Sequence, residues 1–274
     1  MNEPRNPYAP PSSRVADPEE HLDSTQSGRL IPNGRSLRPG RGAAWIGDAW
    51  RLLRAQPGMW AAALVVLLIA YIVLSVIPVV NIFKQLVVPF AYAGIAIAAD
   101  EQRRTGAFEL GALLGGFRKQ PVSLLAVGGA ILLTGVVFAI VLVISTGTPA
   151  VFRMLMAGAK PDPSLFLTTR FWLGCLVGLA VSVPMGLATY LAPQLIVLHD
   201  QPALTAMKMS LIGCLKNTLS GLVFVICATL LVVVSMIPLF LGLLISIPIM
   251  VLTNYTVYRD IFIEADTCQP TSSP

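Results

Sequence analysis

MWAAALVVLLIAYIVLSVIPVV, residues 59–80, is the stretch on which the fold turns. It carries no charge, and as a helix rising 1.5 Å per residue it reaches about 33 Å, the thickness of a bilayer's hydrocarbon core. Behind Ile77-Pro78 a short polar step (Asn81, Lys84, Gln85) leads into a second apolar run that ends at Ala99. Two such runs back to back predict a helical hairpin in lipid, with spans at about residues 59–80 and 82–99.

Composition points the same way. Hydrophobic residues make up 55% of the 274 and charged residues 12%, half of what a soluble domain carries. The charges cluster outside the apolar runs, so no room is left for a soluble core. The fold class is all-α: a polytopic membrane protein of six transmembrane helices in three hairpins, each preceded by an amphipathic interfacial helix. No apolar stretch of signal-peptide length precedes residue 59, so the first span is expected to act as the uncleaved insertion signal.

Outward from the first hairpin the same unit recurs. Residues 1–43 are rich in proline and poor in large apolar side chains, and are expected to be a disordered cytoplasmic tail. Residues 44–56 place Trp45, Ala49, Leu52 and Leu53 on one helical stripe, a lead-in helix expected to lie at the membrane surface. Phe108, Leu110, Leu113, Leu114 and Phe117 form a second lead-in before spans at about 122–145 and 171–198. Leu204, Met207, Leu211, Cys214 and Leu215 stripe a third, with Asp200 as its expected N-cap. The 42 uncharged residues 217–258 that follow are about twice the length of one crossing and divide into spans at about 218–237 and 239–258. Residues 44–263 thus form the six-helix domain, and 264–274 a short cytoplasmic tail. Helix breaks are expected at Pro78, Pro89, Pro184, Pro193, Pro238 and Pro248. Pro78 is followed by Pro89 eleven residues on and Pro238 by Pro248 ten residues on, which suggests an internal repeat of three units.

Counting basic residues by side gives the orientation. Lys84, Arg153, Lys160 and Arg170 fall outside, and the other 15 of the 19 Lys and Arg fall inside, so both termini are expected on the cytoplasmic side. The basic residues flank apolar runs instead of forming a block with interleaved aromatics, which argues against nucleic acid as a partner. Membrane lipids are the expected partners, with other membrane proteins second. Trp45, Trp50, Arg51, Arg54, Arg118, Lys119 and Lys216 are the candidate headgroup contacts.

The chemistry is far less legible. Only His21 and His199 exist, and Cys175, Cys214, Cys227 and Cys268 have no CxxC spacing, so neither a metal site nor a disulfide framework is expected. No paired carboxylates and no nucleophile with a base stand together in the spans, so no catalytic residue or cofactor is assigned. Gly174, Gly178, Ser182 and Gly186 recur every four residues and make a packing ridge. Asn81, Tyr190, Gln194 and Asn254 are the polar groups that could line a cavity between proline-bent helices. The expected function is therefore a non-enzymatic membrane-organising or accessory role; the alternative is a permease or a lipid- or amphiphile-handling transporter.

Four segments carry a family resemblance: WIGDAWRLLRAQP (45–57), ELGALLGGFR (109–118), AMKMS (206–210) and YTVYRDIF (255–262). Together they resemble an uncharacterised multi-pass membrane family of proteobacteria and, at a greater distance, the membrane domain attached to some glycerophosphodiester phosphodiesterases. The resemblance implies an inner-membrane location and no catalytic residues, since the acidic and histidine metal ligands of the phosphodiesterase domain have no counterpart here.

Overall fold

The computed structural model describes residues 29–76, 83–147, 163–237 and 242–264. Its helices are α1 (Arg41–Ala55), α2 (Pro57–Val76), α3 (Val88–Thr105), α4 (Gly115–Arg118), α5 (Pro121–Thr146), α6 (Thr169–Tyr190), α7 (Ala192–His199), α8 (Ala203–Lys216), α9 (Thr218–Met236) and α10 (Leu243–Phe262). The chain is all-α. Four stretches are long and apolar enough to cross a membrane: α2, α5, α6 with α7, and α9. Neither α3 nor α10 meets that measure. Both are apolar at the start and polar at the end, where Asp100 and Gln102 of α3 and Asp260 of α10 are buried.

The three units close into a ring. The first lead-in, α1, packs on α9 and α10 of the last unit; the second, a 3-10 turn (Leu110–Leu114) plus α4, packs on α3; the third, α8, packs on α6 and α7. Each lead-in thus sits on the returning helix of the unit before it, and the first sits on the last. The returning helices meet inside the ring: α3 touches α7 and α10, and α7 is joined to α10 through Gln194–Asn254 and His199–Tyr258.

The surface is divided. Val65, Leu68, Ile72 and Val76 of α2, Leu133 and Ile144 of α5, Leu176 and Val183 of α6, and Leu230 and Val234 of α9 are each more than half exposed, a belt of apolar side chains open to the surroundings. At the other end Trp45, Trp60, Tyr255, Tyr258 and Phe262 are almost fully enclosed. Removing an aromatic of that size from water stabilises by about 2 to 3 kcal/mol, so this base holds the fold together while the belt relies on an apolar solvent. Only α5 and α6 pack along their length as a hairpin. By contrast α2 is buried only near its start, at Trp60 and Ala63, and Lys84 lies 4.9 Å over the Tyr71 ring.

Several expectations are corrected. Residues 29–43 are not disordered: Leu30 bridges Ile263, the Ile31 and Arg35 amides donate to the Phe262 and Ile261 carbonyls at 2.8 and 2.9 Å, and Asn217 holds Leu37 and Arg35. Non-local partners satisfy this extended backbone, so its proline-rich composition misleads. The second lead-in is not one α-helix. Gly111, Gly115 and Gly116 lower its helix propensity, and Gly116 lets α4 lie against the Phe90 carbonyl. The third lead-in is rotated from the expected stripe, of which Met207 and Cys214 are partly buried against the core. Ala206, Met209, Ser210 and Gly213 are buried, whereas Leu204 and Leu215 are 80% and 57% exposed. Asp200 ends α7 in the left-handed region at φ 50° and is not the N-cap of α8, which is Pro202.

The proline breaks divide three ways. Pro89 and Pro193 stand in the first turns of α3 and α7, where a missing N–H costs nothing. Pro184 and Pro248 do not end their helices, since α6 and α10 continue on both sides of them; an apolar solvent offers freed backbone groups no water, so the helix is kept. Pro78 and Pro238 lie outside the described residues.

At the α6–α7 break, Ser210 replaces the lost ladder. The Leu191 amide donates to Ser210 Oγ at 3.0 Å, and that hydroxyl donates to the Leu187 carbonyl at 2.6 Å. Ser210→Ala is expected to orphan both groups in a dry seam and to cost about 2 kcal/mol, a fall of several degrees in unfolding temperature in detergent. Thr205→Ala, on the exposed side of α8, is expected to change nothing.

Candidate functional site

Where α3, α7 and α10 converge, apolar helices carry polar side chains inward. Tyr255 of α10 donates its hydroxyl to Asp100 Oδ1 at 2.9 Å, and Arg104 Nε lies 3.2 Å from Oδ2 of the same carboxylate. Arg103 Nε reaches the Tyr255 oxygen at 3.3 Å. One turn on, Tyr258 shares a hydrogen bond with His199 Nε2, and its ring centroid is 6.2 Å from that of Tyr255. Deeper along α10, Gln194 Nε2 donates to Asn254 Oδ1, and Asn254 Nδ2 to the Tyr190 carbonyl at 3.3 Å. Asp100 and Asn254 are each 4% exposed and Gln194 1%, so this is an interior polar track, held in register by bonds between three helices.

Two cavities flank the track. One of about 170 Å³ lies between α3, α5, α6 and α10, against Pro89, Tyr92, Ile131, Tyr190, Pro193 and Asn254. The other, of about 550 Å³, opens at the base between α1 and the ends of α3 and α10, where Tyr255, Gln102, Arg103 and Arg259 line it. Adjacent residues of α10, Asn254 and Tyr255, each line one of them.

Beside the larger cavity stands an ionic knot. Asp260, 8% exposed, accepts from Arg35 Nη2 at 2.7 Å, Arg41 Nε at 2.8 Å and Trp45 Nε1 at 2.8 Å. Burial pushes its carboxyl up, but the hydrogen bonds from Arg41, Trp45 and Arg35, with the charge of Arg41, outweigh burial and hold it below the ordinary carboxylate range.

Of the residues singled out in the sequence, Tyr190 and Asn254 line the smaller cavity, and Gln194 is bonded to Asn254 without lining it; Asn81 lies outside the described residues. In the packing ridge a Cβ on Gly174 would stand 2.0 Å from Ser145 Oγ and one on Gly178 2.4 Å from the Phe138 ring, so both seat α6 on α5. Ser182 is half-buried, and Gly186 faces open space. One of the headgroup candidates is internal instead: Trp45 is 2% exposed and bonded to Asp260. Lys216 is exposed and donates to the Asn33 carbonyl at 2.9 Å. Arg51 pairs with Asp48 on the cavity wall, while Trp50, Arg54, Arg118 and Lys119 are exposed.

Sequence reading passed over Asp100, Tyr258, His199 and Asp260, because acids and aromatics just past an apolar run look like membrane-edge residues. The one available signal was that Asp100 and Asp260 follow the two returning runs at similar distances from Pro89 and Pro248. Among the described residues no three of His, Cys, Asp and Glu converge as a metal-binding group. Compared with known proteins, the chain matches no family model, no curated protein and no solved structure.

Proposed function

We propose that this chain is a non-enzymatic, multi-pass protein of a bacterial inner membrane, crossing six times with both termini in the cytoplasm, and that it organises or assists other membrane components. The divided surface carries this reading: a belt of bare apolar helices above a base whose polar groups are largely bonded to one another. The six crossings require α3 and α10, which the outer helices shield and which therefore need not be apolar all round. Their twelve apolar residues 88–99 account for about 18 Å of α3's crossing. The base carries Leu114 and Phe117 exposed beside Arg118 and Lys119, the mixture suited to the headgroup zone and to a neighbouring membrane protein. Membership of the proteobacterial family that the sequence resembles belongs to the same proposal.

The test is isolation in native lipid patches, with and without Leu114→Ser and Phe117→Ser. A partner at fixed stoichiometry, lost from the double variant while the protein stays inserted and folded, is the expected result. Identical protein content from both preparations would contradict it.

The cavity at Tyr190 and Asn254 favours a second reading, handling of a lipid or other amphiphile between the helices. On that reading reconstituted vesicles show lipid scrambling that Asn254→Leu abolishes; absence of scrambling by the unaltered protein counts against it.

A further inference from the structure

The cavity at the base has an excess of positive charge. Arg35, Arg41, Arg51, Arg103 and Arg259 line it against Asp48, Asp260 and Glu264. Most of this charge is already used: Arg35 and Arg41 hold Asp260, and Arg41 and Arg51 hold Asp48. Arg103 and Arg259 are different. Among the described residues neither forms an ion pair, and the only side-chain partner of Arg103 is the Tyr255 hydroxyl, at 3.3 Å. The C-termini of α3 and α10, which end at Gly106 and Ile263 on the cavity wall, each contribute about half a negative charge. Five cations against three acids and those two helix ends leave an excess of about one positive charge, so an anion is favoured where a cation is not.

Shape narrows the class of anion. About 550 Å³ is far more than a halide needs and accommodates a phosphate ester with a small polar or glycerol moiety. Guanidinium groups present forked donors that match phosphate oxygens, with the Tyr255 hydroxyl and Gln102 amide alongside. Leu52 and Ala55 of α1 give the same cavity an apolar wall.

We propose that the cleft between α1 and the ends of α3 and α10 binds a phosphate-bearing ligand, a phospholipid headgroup or a soluble phosphomonoester, with Arg103 and Arg259 holding the phosphate. The site stands whether or not the protein organises others, because it rests on the cleft alone.

The experiment uses the full chain in phosphatidylcholine nanodiscs with two probes: phosphatidate mixed into the bilayer, and glycerol 3-phosphate added to the buffer. Binding of either probe, weakened at least tenfold by Arg103→Gln with Arg259→Gln, is expected. Binding of phosphatidate alone identifies a lipid headgroup as the source; comparable binding of both identifies a soluble ester as sufficient. Ala55→Trp fills the cleft without changing charge and is expected to block binding, which keeps the test decisive if the double variant fails to fold. Arg54→Gln removes an exposed charge of α1 that does not line the cleft and is expected to bind as the unaltered chain does. The proposal is overturned if neither probe binds, if the double variant and Ala55→Trp both bind normally, or if Arg54→Gln weakens binding as much as the double variant.

Discussion

Asp260→Asn is expected to lower stability by about 2 to 4 kcal/mol, and to release residues 29–40 to protease while the belt helices stay inserted. The carboxylate takes three hydrogen bonds, from Arg35, Arg41 and Trp45, and without its charge two guanidinium groups lose their counter-ion next to a buried indole. Since Arg35 and Arg41 are 36% and 42% exposed, and Arg41 keeps Asp48 at 3.5 Å as a second counter-ion, part of the loss is repaid, which keeps the figure at or below that for a fully buried pair. The pH dependence has a definite sign. The folded carboxyl has a pKa below the unfolded one, so its contribution is complete above the unfolded value, about 4, and is lost as pH falls through the lower folded value. Thermal unfolding in detergent between pH 3 and pH 7 should show that loss in the unaltered chain and a weaker one in Asp260→Asn. Equal acid sensitivity in both would remove Asp260 from the account.

Gly42→Ala is expected to be at least as damaging, and for a different reason. A Cβ there would stand 2.1 Å from the Ser220 carbonyl oxygen and 2.7 Å from the Phe224 nitrogen, both backbone atoms that cannot rotate away. α1 must then lift from α9, opening the seat of Trp45 on Phe224, where the ring centroids are 6.1 Å apart. Overpacking of this kind costs about 3 kcal/mol or more when backbone has to move. Gly94→Ala makes the same test at the second lead-in, where the added carbon would lie 2.1 Å from the Leu113 carbonyl oxygen. The control is in the same helix as the first substitution. Gly47 has nothing within 4 Å of its Cβ position, so Gly47→Ala should be neutral or stabilising by about 0.5 to 1 kcal/mol through helix propensity. If Gly42→Ala and Gly47→Ala unfold alike, α1 is not docked on α9 as described.

The outer helices were the most legible part of the sequence. α5 and α9 are uncharged over a full crossing, and length with hydropathy is enough to find them. The division of labour between outer and inner helices was not legible. Asp100 and Tyr255 stand at the ends of apolar runs, and nothing local separates a residue at the membrane edge from one turned toward two other helices. The stripe on α1 was correctly placed, but Trp45 and Leu53 serve a protein neighbour as readily as a lipid one, and the Asp260 that receives the Trp45 indole lies 215 positions away. On α8 the large residues set the stripe too far to one side, so that only Met207 and Cys214 of it pack on the core, both partly buried. Against another helix, close approach favours Ala206, Ser210 and Gly213, and Leu204 is left outside. For the candidate site, Tyr190, Gln194 and Asn254 were found as unusual polar groups in apolar surroundings, while Arg103 and Arg259 looked like ordinary flanking charges.

Everything above rests on the base and the belt lying in different solvents, and cysteine labelling of living cells tests that division. With Cys175, Cys214, Cys227 and Cys268 replaced by Ser, single Ser164→Cys and Thr205→Cys variants are exposed to a membrane-impermeant maleimide, before and after permeabilisation. The account predicts that Ser164→Cys reacts in intact cells stripped of their outer layers, and that Thr205→Cys reacts only once the membrane is opened. Labelling of Thr205→Cys in intact cells, or equal labelling of both positions, would contradict it.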